Sequence, residues 1–378
     1  MKYLFKARTF TFFLLIILFY TSFSWSKNTN SIYSEKNISN YFSGIISINE
    51  NNTSQAFNFL KKTQFLQDEH SEFNEQFLRT LTLLGKFNQS FDYINNLSPE
   101  KADFFEANLF SGLNYFVKKD YLNAEKYFKK LKQSYIGDYY IEDYFGDFLN
   151  SIVKISQNDQ AGSLQTLETI PGSLDNLKKM QEALIHCHFD SPNTISLFEK
   201  LIKNKESIYP RHNFFLANHL LYKNNIKEAE HAISRSYNEF ASNMLIRQSY
   251  DFMIKKNFKE IKKFFDCKDP KDLMSEFFYV IANLYSAQEN YSLSNFYLKI
   301  SIYLNENFYS NRTLLAENYL SQSNNEEAKE ILYSVKKIGS VYSWYANKRI
   351  AYIISLKENK KMGAKYLENE IKKIKNPN

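Results

Sequence analysis

A small residue followed twelve positions later by a second small residue recurs along this chain at a step of about 34 residues, and few folds satisfy that constraint. The pairs are Gly44 and Ala56, Gly112 and Ala124, Ala217 and Ala229, Ala282 and Ser294, Ala316 and Ala328, and Ala351 and Gly363. Gly44 to Gly112 is 68 residues, Ala183 to Ala217 and Ala282 to Ala316 are 34 each, and Ala316 to Ala351 is 35. An apolar or aromatic residue stands three after the first small one, at Tyr115, Leu220, Tyr285, Tyr319 and Ile354. Two antiparallel helices joined by a short turn approach closely only where a small side chain sits at each crossing, and a large neighbour fills the adjacent gap. One such hairpin cannot bury its apolar face, so hairpins must stack.

The cleanest unit, Ala107 to Leu131 (ANLFSGLNYFVKKDYLNAEKYFKKL), places Gly112, Tyr115, a polar turn at Lys118 to Asp120, Ala124 and Phe128 in that order. In period and in its small/large/small pattern it resembles the tetratricopeptide repeat family, the TPR-like proteins. The resemblance covers residues 38 to 375 and is strongest at 108–131, 212–236, 276–303 and 310–335. It implies an all-α, right-handed α-solenoid of about ten TPR-like helix-turn-helix repeats. The pattern departs at 72–97, which reads as compressed around Leu78 and Ser90. At 138–170 the crossings fall on Asn150 and Gly162, and 244–265 reads as lacking small residues altogether.

Glycine (9) and proline (6) are scarce and 44% of the residues are apolar, so the chain carries a large core with few sharp turns. Pro99, Pro192 and Pro270 follow Ser or Asp, the arrangement of a helix start, and Pro171 and Pro210 also fall between expected helices. No window alternates with period two, so no sheet is expected. Lys2, Lys6 and Arg8 precede an apolar run, Thr9 to Phe23, which ends at Ser24-Trp25-Ser26. About 15 apolar residues fall short of the ~20 that span a bilayer, so residues 1–26 read as a cleaved signal peptide, with an inner-membrane anchor through 9–23 as the alternative. A polar tether (27–37), the solenoid (38–375) and a tail (376–378) follow. Export to the periplasm of a Gram-negative envelope is the expectation.

Three of the 48 basic residues and none of the 41 acidic ones lie before residue 27, leaving 45 against 41, a balance that gives no reason to invoke nucleic acid. Membrane contact is expected only if the N-terminal segment is retained. No G-x-S-x-G, Walker-type, G-x-G-x-x-G or H-E-x-x-H pattern occurs, and the repeats leave no segment for an appended catalytic domain. His186-Cys187-His188 has two histidines about 200° apart on a helix, so they cannot close on one ion. Neither a metal nor a cofactor is expected. Cys187 and Cys267 lie more than two repeats apart, roughly 20 Å along a stack of helices spaced 8–10 Å, beyond disulfide reach. They are expected to be buried thiols.

The TPR resemblance implies a concave wall lined by the first helix of each hairpin. On that helix, the residue three before the small one and the residue after it share a stripe. The stripe runs Tyr41 and Ile45, Leu109 and Leu113, Phe214 and Asn218, Tyr279 and Asn283, Thr313 and Glu317, Lys348 and Tyr352. The C-terminal four pairs are the candidate groove. The expected function is a non-catalytic scaffold or adaptor that binds a protein or peptide partner there. The competing reading is an enzyme or glycan-binding module using the superhelix interior as a cleft, with Glu317 its clearest acid.

Overall fold

The structure, a computed structural model, describes residues 34–134, 141–204 and 209–373. The signal segment, the tether up to residue 33 and the tail lie outside the described residues. Among those described there is no strand. Twenty α-helices pair into ten hairpins: α1 Glu35–Asn49 with α2 Thr53–Lys62, α3 Ser71–Leu83 with α4 Phe87–Asn95, α5 Phe105–Val117 with α6 Tyr121–Ser134, and α7 Phe145–Ser156 with α8 Gln160–Glu168. The next are α9 Asp175–His188 with α10 Thr194–Lys203, α11 Arg211–Tyr222 with α12 Ile226–Glu239, and α13 Met244–Ile254 with α14 Phe258–Lys262. The last are α15 Pro270–Ala287 with α16 Tyr291–Leu304, α17 Ser310–Ser321 with α18 Asn325–Val335, and α19 Ser340–Lys357 with α20 Lys360–Lys372. Helix α1 opens inside the expected tether because the Ser34 hydroxyl accepts the Asn37 amide at 3.3 Å.

Nine of these hairpins turn on one residue in the left-handed region: Asn51, Gly85, Lys119, Asn158, Asp190, Asn224, Lys256, Glu289 and Ser323. At each, two backbone amides reach back to the carbonyls of the last turn, as Lys119 does to Phe116 and Asp120 to Tyr115, which ends the first helix and reverses the chain. The next residue starts the second helix as its N-cap, an Asn or Asp at 52, 120, 159, 225, 257, 290 and 324.

The left-handed residue falls seven after the first crossing, which corrects the reading of the three irregular segments. Counting back from Gly85 gives Leu78, from Asn158 gives Ser151, and from Lys256 gives Ser249. Residues 72–97 are therefore in step. In 138–170 the crossing is Ser151 with Ser163, whose hydroxyl donates to the Ser151 carbonyl at 2.7 Å, as Ser294 donates to Ala282 at 2.8 Å. Residues 244–265 do hold a small residue at the crossing position, Ser249, with Ile261 twelve positions on, and both are fully buried. Of the prolines, Pro270 opens a helix behind Asp269, whereas Pro99 and Pro192 sit in turns ahead of one.

The stack curves until distant hairpins meet. Helix α3 packs on α16, α7 on α15, and α13 on α19. Phe87 stacks on Tyr303 with centroids 4.1 Å apart, and Phe145 and Phe148 each meet Phe277 at 5.2 Å. At the edge of this seam Gln322 donates to the Asn51 side chain at 2.8 Å and Asn324 to the Asn51 carbonyl at 2.9 Å. One aromatic-rich core thus runs from Leu78 to Ile353.

Cys187 and Cys267 form a disulfide with Cα atoms 5.9 Å apart, overturning the expectation of two buried thiols. The 20 Å figure assumed a straight stack in which every hairpin advances the chain. Helix α14 is only five residues long, and the segment after it, residues 263–269, runs back across α11 to reach α9. Asn218 donates to the Ile261 carbonyl at 3.3 Å, Phe265 packs on Phe215 at 4.7 Å, and His188 Nδ1 lies 2.9 Å from the Cys267 carbonyl. This strap ties the fifth hairpin to the start of the eighth.

Candidate binding cleft

The strap decides which part of the expected groove remains open. Phe214 is fully buried beneath Phe264 and Phe308, and Asn218 is 2% exposed with its amide spent on the Ile261 carbonyl of α14. Neither can meet a partner, because the chain's own segment covers that stretch of the stripe. Leu109 and Leu113 are likewise interior.

Beyond the strap a cleft of about 430 Å³ opens between the first helices α9, α11, α13, α15, α17 and α19. It brings together three of the sequence-derived residues, Tyr279, Asn283 and Thr313. Leu177, Met180, Met244, Leu245, Val280 and Leu284 give it apolar walls, with Asn176 and Asn243 among its polar groups. The lining contains no Asp or Glu. The Asn283 amide donates to the Tyr279 carbonyl at 3.3 Å, and the Thr313 hydroxyl donates to the Ser310 carbonyl at 2.9 Å.

The remaining predicted residues lie apart from the cleft. Glu317 takes a two-point ion pair from Arg349, both contacts at 2.8 Å, and accepts the Tyr345 hydroxyl. Lys348 and Tyr352 are exposed on α19, Tyr352 to 51%.

Sequence reading missed the group that shapes the cleft wall, Arg211. Its guanidinium pairs with the fully buried Glu276, lies 4.0 Å over the Tyr279 ring and 5.0 Å from the Phe308 ring. Burial pushes the Glu276 carboxyl up while Arg211 pulls it down. Arg211 thus touches both the Glu276 carboxyl, pushed up on balance to about 7, and the Tyr279 ring, which is held between cation and aromatic neighbours. Burial, then Arg211, push the adjacent His212 down to about 4, so its imidazole is neutral at physiological pH. Burial also raises the Tyr342 phenol above its ordinary value, leaving it a neutral hydroxyl. The cleft thus combines apolar walls with the side-chain amides of Asn176, Asn243 and Asn283, a surface suited to apolar groups with a few polar contacts. The sequence signal for Arg211 was its place at the head of a first helix, after Pro210.

The six helices around the cleft occupy the same position in successive hairpins, the first five closed by a left-handed turn, and each is set about 34 residues from the next. This is a tetratricopeptide-type α-solenoid. No protein-family model matches the chain, and no curated protein does. Solved structures similar to it include the TPR domain of P58(IPK), 11% identical, covering 90% of this chain and 93% of that one at a TM-score of 0.27. Yeast Tom70 is 12% identical over 91% and 86% of the two chains (TM-score 0.28), and the APC/C hetero-tetramer Cut9-Hcn1 13% over 90% and 81% (TM-score 0.26). The tetratricopeptide-type assignment here rests on the hairpins themselves.

Proposed function

We propose that this solenoid is a non-catalytic interaction scaffold that holds a peptide segment of a partner protein in the cleft at Tyr279 and Asn283. The observation that carries the reading is the cleft itself: first helices of six hairpins converge on a largely apolar depression without acidic residues, with Asn176, Asn243 and Asn283 in its lining. Apolar side chains of the partner would enter between Leu177, Met244 and Val280. The basic residues and apolar run at the N-terminus support placing the scaffold in a bacterial envelope, as a holder of a peptide or of a subunit in a larger assembly.

Photo-crosslinking in the native cell tests this. A photoreactive residue at Asn283 should yield a discrete protein adduct that Tyr279→Ala abolishes, while the same residue at Leu122, 78% exposed away from the cleft, should not. Equal labelling at the two sites, or none at Asn283, would overturn the proposal. The N-terminus of the protein, read by mass spectrometry after cell fractionation, tests the envelope placement.

A further inference from the structure

The side chains that meet at the disulfide form a second kind of site. Cys187 comes from the last turn of α9, His219 from the last turn of α11, and Cys267 from the strap. Their two Sγ atoms and a ring nitrogen of His219 all lie within 4.8 Å of one another, and Cys187 Sγ is 3.3 Å from His219 Nδ1. All three residues are buried. We propose that, with the disulfide reduced, Cys187, Cys267 and His219 bind a soft divalent metal ion such as Zn²⁺, so that this junction is either a covalent or a metal cross-link according to redox state.

The geometry suits the ion. Zinc takes thiolate at about 2.3 Å and imidazole at about 2.0–2.1 Å in a tetrahedron, which sets neighbouring ligand atoms roughly 3.5–4 Å apart. That triad fits inside the 4.8 Å envelope once the sulfurs separate. The cluster does not depend on the S–S bond to stay assembled. The backbone of Cys267 is held by His188 Nδ1 at 2.9 Å, Lys268 of the strap pairs with Asp190 at 2.8 Å, and Phe265 is packed on Phe215. Two thiolates also cancel the charge of a divalent ion, and a neutral imidazole adds none, which a buried site demands.

The chemistry balances with one named co-reactant. A dithiol or phosphine reductant opens the protein disulfide, giving two thiols and the oxidised reductant. Metal binding then replaces the two thiol protons, which leave to solvent, and a water or an outside ligand takes the fourth position. The H-C-H run of α9 contributes its cysteine alone; the histidine comes from α11, 32 residues on, close to one repeat away.

Cobalt(II) is the probe, because tetrahedral thiolate coordination gives it intense visible bands and a sulfur-to-metal charge-transfer absorption. The phosphine-reduced full chain should bind about one equivalent with both features, and zinc should displace it; the oxidised chain should show neither. His219→Gln, with both thiols still titratable, should weaken binding about tenfold or more and change the visible bands. Cobalt uptake by the reduced protein no greater than by the oxidised form would overturn the proposal, as would a His219→Gln spectrum identical to that of the parent. Should the variant fail to fold, the reduced-against-oxidised comparison on the unaltered chain decides alone.

Discussion

Reducing the Cys187–Cys267 bond in the presence of a strong chelator removes the cross-link without adding a metal, and the structure sets the size of the effect. The bond closes a loop of 80 residues, the span from the end of α9 to the strap. Constraining a loop of that length in the unfolded chain is worth about 4.5 kcal/mol at 25 °C on the chain-entropy account. The folded state loses little, because His188, Lys268 and Phe265 still hold the strap in place. The loss therefore falls on the unfolded side. With an unfolding entropy of ~2.1 cal/mol/K per residue over the solenoid, it corresponds to a drop in melting temperature of about 6 °C. Calorimetry of the oxidised protein, the fully reduced protein with chelator and the Cys187→Ala/Cys267→Ala variant measures it, with free thiols counted before each scan. Hydrogen exchange should place the loosened amides in the fifth to seventh hairpins. A fully reduced protein melting within about 1 °C of the oxidised one would refute the reasoning, since it would mean that the loop is not open in the unfolded ensemble.

Three further outcomes follow from particular contacts. A Cβ at Gly146 would lie 2.5 Å from the Phe128 carbonyl oxygen, where α7 crosses α6, so Gly146→Ala should cost about 1–3 kcal/mol by urea denaturation. Gly172→Ala, with nothing within 4 Å of its added carbon, should show no such loss. Arg211→Ala strands the buried Glu276 carboxylate and should cost about 3–5 kcal/mol at pH 8, less in acid where the carboxyl takes a proton; replacing both with Met and Leu should cost far less. Burial, against the Asp266 amide that donates to it and with Asp269 and Asp266 nearby, pushes the Asp272 carboxyl up to about 8. The native state then holds a proton that the unfolded state has released, so this group's contribution falls as pH rises from about 4 to 8, and a pH series of melts should be flatter over that range in Asp272→Asn.

Residues that act within one hairpin were readable from sequence, and residues that act between distant hairpins were not. Gly112 with Ala124 and Ala282 with Ser294 stand out because a crossing admits only small side chains. Ser151 and Ser249 were passed over because size alone is a weak marker. The Asn or Asp that follows the left-handed residue, at 52, 120, 159, 225, 257, 290 and 324, is a sharper one and would have set the register through residues 138–170 and 244–265. The stripe on the first helices led to Tyr279, Asn283 and Thr313 because side-chain direction on a helix follows from spacing. It misjudged Phe214 and Asn218, since nothing local shows that a five-residue α14 packs on Asn218 and releases the next segment onto Phe214. The disulfide was hidden for the same reason.

The seam at Asn51 ties together residues made far apart in time. Its side chain and carbonyl are satisfied by Gln322 and Asn324, 271 and 273 positions later. An open solenoid can zip up hairpin by hairpin as it leaves a ribosome or a translocation channel, each unit settling on the one before. Here the first hairpin reaches its final surroundings only after the ninth has emerged. The rate at which this seam closes is thus governed by encounters of high contact order, and the first and ninth hairpins share one fate.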